Sequence, residues 1–133
     1  MNELKSVGST ANTDYTIDDP DILIVTPKPG TMDNPEIARI NVDFQTNYAR
    51  STGKKCGTVV ILTNMFSQDA DSRKIYAEGM SPEVFYGAAL VVGNPLARAM
   101  GSFFVGLSRP IVTTKLFDTV ENAISWLKSI RPA

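Results

Sequence analysis

The chain has 133 residues, 43% of them apolar and 20% charged, with a net charge of −1. That balance suits one globular domain with a single core, and it gives no general electrostatic pull toward nucleic acid. There is one cysteine, Cys56, and no histidine, which excludes an intramolecular disulfide, Ser–His–Asp and Cys–His catalysis, and metal sites built on imidazole.

Charge is unevenly placed. Residues 1–33 hold six acids and two lysines, whereas residues 34–133 hold eight acids and eleven bases. The start of the sequence lacks a charged-then-apolar leader pattern, and no apolar run reaches the roughly 18 residues that a membrane span needs. The expectation is a cytoplasmic protein without stable membrane insertion.

Residues 1–19, polar and turn-rich, read as a flexible N-terminal arm with at most one short strand near Tyr15–Ile17, and residues 20–133 as the folded domain. "DILIVTP" (21–27) is a β-branched run closed by "PKPG", hence a strand and a turn. The next segment predicts a helix with Asn34 as N-cap, Pro35 in the first position and Gly53 past its end. Ile37, Ile40, Phe44 and Tyr48 recur at spacings of three and four, the pattern of a buried stripe.

"GTVVILT" (57–63) and "EVFYGAALVVG" (83–93) are apolar on both alternating faces, as in strands covered on each side. Between them, "DADSRKIYAEG" (69–79) reads as a short helix stopped at Gly79. "NPLARAMGSFFVGLSRP" repeats the Asn-cap, Pro-first pattern at Asn94 and Pro95, with Leu96, Met100, Phe103 and Leu107 in helical register. "IVTTKLF" (111–117) is a more polar strand, suited to a sheet edge. "DTVENAISWLKSI" opens as a capping box, Asp118 with Glu121, and offers Val120, Ala123, Ile124 and Leu127 to the core. Strands alternating with helices imply right-handed crossovers and a mixed, mostly parallel sheet with packed helices in a single layered α/β domain.

No motif announces catalysis. Neither a Gly-x4-Gly-Lys-Ser/Thr loop nor a G-x-G-x-x-G run occurs, and Asp69 and Asp71, two residues apart at a helix start, point in different directions. Lys54 and Lys55 beside Cys56 are the kind of neighbours that lower a thiol pKa, but no base accompanies it. The expectation is a protein that is not an enzyme and takes no metal or cofactor.

Two stretches invite a binding role. In "FSQDADSR" (66–73), Ser67 and Asp69 both suit an N-cap, which would place Ser72 in the first turn with its hydroxyl in solvent. In the helix at 95–107, Leu96, Met100, Phe103, Phe104, Val105 and Leu107 offer more apolar surface than a one-sided helix uses. Phe103 and Phe104 point about 100° apart; both in the core is the commonest arrangement, and the alternative turns one outward, toward a homodimer partner or a lipid or other apolar ligand held against the sheet.

Three stretches, "AALVVGNPLARAMGSFFVGLSRP", "TKLFDTVENAISWL" and the acidic–Ser–Arg turn after "VVILTN", resemble the SpoIIAA-like, STAS-domain family of small bacterial proteins, itself related in fold to CRAL-TRIO lipid-binding domains. The resemblance covers about residues 57–130 in detail. It implies a STAS-type α/β fold and a regulatory module acting through protein contacts. It also implies that Asp71-Ser72 stands where phosphorylatable members carry their switch serine. The chain departs from that pattern at Arg73-Lys74, where the family prefers a small residue and glycine.

Overall fold

The computed structural model describes residues 4–132. Its main sheet has six strands, β1 (Lys5–Ser9), β2 (Thr13–Ile17), β3 (Ile22–Pro27), β5 (Cys56–Ile61), β7 (Phe85–Val91) and β8 (Thr114–Phe117), in the order β1-β2-β3-β5-β7-β8. The first three pair antiparallel, and β3, β5, β7 and β8 pair parallel. A second pairing, β4 (Thr31–Met32) with β6 (Met65–Ser67), is parallel and was not foreseen from the sequence. The helices are α1 (Pro35–Thr52), α2 (Ala70–Gly79), α3 (Pro95–Phe103) and α4 (Val120–Ile130).

The reading of residues 1–19 as a flexible arm is corrected. Both β1 and β2 lie within that span and extend the sheet, and the Tyr15 side chain of β2 is buried and stacked on Phe44 of α1 at 4.2 Å between centroids. Alternation along the strands does the sorting. Ile22, Ile24, Val59, Ala89 and Val91 face α4, where Ala123, Ile124 and Leu127 complete one core. Leu23, Val25, Val60 and Leu90 face the other side, toward α1 and α3. Small residues let α4 approach closely, since a Cβ at Gly57 or Gly87 would stand 2.9 Å from Leu127 Cδ2 or Ile130 Cδ1 respectively.

Helix α1 begins and ends as the sequence indicates, with the Asn34 side chain accepting from the Ile37 amide at 3.0 Å and Gly53 left-handed at φ 71°. Its buried stripe differs. Ala38, Asn41, Val42, Gln45 and Ala49 face inward, Ile40 is exposed, and Phe44 and Tyr48 flank the stripe. Two polar residues and two alanines make that stripe invisible to hydropathy.

Helix α4 is capped by Thr119, whose hydroxyl accepts from the Asn122 amide at 3.1 Å, while Asp118 instead pairs with Arg98 of α3. The capping-box reading at Asp118 is thereby corrected. The helix foreseen over 95–107 is α3 followed by a wider π turn, Phe104–Ser108, ended by Arg109 in the left-handed region at φ 49°.

Candidate functional site

The turn before α2 is built for capping. Asp69 accepts from the Ser72 amide at 2.7 Å, and Ser67, Asp69 and Asp71 lie on the surface. Ser72, expected with its hydroxyl in solvent, is instead 0% exposed, with its Oγ lacking a hydrogen-bond partner among the described residues. The reason is helical geometry: the third helical position of α2 turns inward, so this hydroxyl is not offered to a kinase. Cys56 is likewise buried, and burial pushes its thiol pKa up despite the neighbouring lysines.

The residues singled out on α3 divide in two. Met100 and Phe104 turn inward and pack with Leu62, Met65, Leu90 and Val92. Leu96 (50% exposed) and Phe103 (53%), two turns apart on one flank, face out. Leu107 (69% exposed) and Val105 of the same stretch are outward too, and Ile111, expected to open the edge strand, instead precedes β8 and is 59% exposed. The segment 84–117 contains Arg98, Arg109 and Lys115 and no acid. Of these three cations, Arg98 is paired with Asp118.

A different centre was not read from the sequence at all. Between the sheet and the pair α1/α2 lies a cavity of about 80 Å³. Its apolar side is formed by Val25, Val60, Leu90, Phe104 and Val112, and its polar side by Asn12, Asp33, Asn41, Gln45, Gln68 and Tyr76. Asn41, on the buried stripe of α1, is the hub of the polar side. Its Oδ1 accepts from Thr10 and from the Tyr15 hydroxyl at 2.9 Å, and its Nδ2 donates to Asn12 Oδ1 and to the Tyr76 hydroxyl, each at 3.0 Å. Gln45 donates to the Tyr15 hydroxyl at 3.5 Å.

Asp33 anchors the other end. Its Oδ1 accepts from Asn12 at 3.1 Å and from the Tyr76 hydroxyl at 3.3 Å, and its Oδ2 accepts from Gln68 at 3.1 Å. Burial raises its pKa, against the opposing pull of those donors. Burial also pushes the Tyr15 phenol up to about 12 and raises that of Tyr76, so both remain neutral donors. The only sequence signal for this centre was the pair of polar residues, Asn41 and Gln45, four apart inside a helix. The volume is far below the roughly 300–1,000 Å³ of sites for drug-sized ligands, and it lies beside α1 and α2 rather than chiefly under α3, where a lipid was expected.

The strand order and the helices on the two faces define a SpoIIAA-like fold. A crystal structure of an uncharacterized protein of the DUF3478 family with a SpoIIAA-like fold, from Shewanella loihica PV-4, matches with a TM-score of 0.54 and 13% identity, over 96% of this chain and 97% of that one. The family model described as Domain of unknown function (DUF7793) matches residues 15–131, and the chain belongs to that family. No curated protein matches the sequence. The resemblance read from the sequence therefore stands for the fold. Among the described residues no helix is long and apolar enough to cross a membrane.

Proposed function

We propose that this protein is a non-enzymatic interaction module that pairs with a second copy of itself through the outward flank of α3 and the π turn after it. The observation that carries this reading is the run of Leu96, Phe103, Val105, Leu107 and Ile111, large apolar side chains that stay exposed within sixteen residues of chain. Large exposed apolar patches on a soluble domain mark protein or ligand contact sites. Two-fold homodimers are the commonest soluble oligomers, and their interface cores are more apolar than the surrounding surface. A regulatory partner would then meet the dimer at the exposed turn of Ser67, Asp69 and Asp71, with recognition resting on shape and charge.

Sedimentation velocity over a concentration series tests the pairing. The wild type is expected to sediment as a dimer, and Phe103→Asp and Leu107→Asp are each expected to weaken the dimer by more than about tenfold, as truncation of a central apolar contact does. Both side chains are outside the core, so thermal stability of the monomer should hold. A wild type that stays monomeric at high concentration, or variants that dimerise like it, would reject the reading.

A further inference from the structure

We infer that the cavity between the sheet and α1/α2 is a binding site for a small uncharged molecule with an apolar body and one hydrogen-bond donor, an alcohol or an amide, the donor seated on Asp33. The site is independent of the dimer surface proposed above and stands or falls separately.

Three features lead there. The first is the mismatch between the cavity's walls and water. A volume of about 80 Å³ exceeds what one water needs, and each ordered water requires two to four polar partners. Val60, Leu90, Phe104 and Val112 supply none along most of the wall. An apolar body fits that part better than a water cluster does.

The second feature is the polar end. A carboxylate offers roughly four lone-pair positions. Asn12 and the Tyr76 hydroxyl take two on Asp33 Oδ1, and Gln68 takes one on Oδ2. One acceptor position on Oδ2 is left for a donor. Asn41, by contrast, is fully used, so it shapes the pocket and does not bind within it.

The third feature is charge. Among the described residues that line the cavity there is no lysine or arginine, and Asp33 is the one charged side chain. A carboxylate- or phosphate-headed ligand would bring a second negative charge into a partly buried site without a counter-ion, which is costly. That separates this site from a carrier of free fatty acids. Gln68, Met80 and Phe104 line the cavity and remain half-buried, so it is not sealed on every side.

The test is an NMR titration of the full ¹⁵N-labelled chain at neutral pH with two probes that share a body and differ in the head, isobutanol and sodium isobutyrate. Isobutanol is expected to give saturable shifts at the amides of Gln45, Thr58 and Tyr76, and isobutyrate to bind at least about tenfold more weakly, the cost of roughly one pKa unit's worth of repulsion. Two variants fill the cavity from neighbouring strands, Val60→Phe and Ala88→Leu. Either one that keeps a dispersed spectrum should abolish saturation by isobutanol. The inference is overturned if the isobutanol shifts are scattered and do not saturate, if the two probes bind equally, or if binding survives in a folded cavity-filled variant. Should both variants unfold, the comparison of the two probes in the wild type still decides.

Discussion

Asn41 shows how much a single polar side chain can carry. Its amide has two donors and an oxygen with two lone pairs, and it uses them to join β2, α1 and α2: Tyr15 and Thr10 on one side, Asn12 and Tyr76 on the other. Removing one partner from a buried network leaves the others desolvated and unpaired, which costs about 1–3 kcal/mol per orphaned group. Asn41→Ala is therefore expected to lower the unfolding free energy by about 3 kcal/mol or more in urea denaturation. Ile40→Ala, one position away and exposed, should change it by no more than about 0.5 kcal/mol. A hydropathy reading of α1 would rank these two the other way round, so the pair tests which face of the helix is buried.

The helices make the same point through their ends. Thr119 accepts from the Asn122 amide, whereas Asp118 points to Arg98 across an exposed pair. A lost N-cap costs about 1 kcal/mol, and an exposed ion pair is worth about 0–1 kcal/mol. Thr119→Ala should thus lower the urea midpoint clearly, and Asp118→Ala should lower it less. Both residues were candidates by type alone. The caps at Asn34, Asp69 and Asn94 were readable because each is followed at once by a proline or a helical pattern, and the strands at 57–63 and 83–93 because β-branched and apolar residues run unbroken there. Three things were not readable. The inward stripe of α1 holds Asn41 and Gln45, whose partners come from 26 or more residues away, so local pattern could not value them. The first two strands lack hydrophobic alternation strong enough to stand out, and Tyr15 is buried by partners mostly distant in sequence, Leu23, Val25 and the stacked Phe44 among them. The π geometry at 104–108 and the exposure of Ile111, which the pattern assigned to an edge strand, leave no mark in local hydropathy.

The whole fold is fastened at its C-terminal end by charges. Arg131, just past α4, donates to Asp19 Oδ2 at 2.8 Å and lies 3.0 Å from Asp21, while Lys128 lies 3.3 Å from Asp18. These contacts tie the last helix to the β2–β3 turn, on the α4 side of the sheet. The Arg131 hydrogen bond holds the Asp19 carboxyl below its ordinary value of 3.8. A carboxyl with a lowered folded pKa binds fewer protons folded than unfolded, so its contribution is present above about 3.8 and is lost as pH falls through the folded value. Asp33 works in the opposite direction. Its folded pKa is raised by burial, so the folded state binds more protons, and stability declines as pH rises from 3.8 into that raised range. Urea midpoints measured across the acid range should separate the two. Arg131→Ala should flatten the loss of stability below about pH 4 and remove its sensitivity to salt, because the pair it breaks is partly exposed and screened. Asp33→Asn should leave that acid limb in place and remove the decline just above it. If the acid limb of Arg131→Ala matches the wild type, the clasp does not hold α4 to the sheet in solution, and some other carboxylate governs acid unfolding.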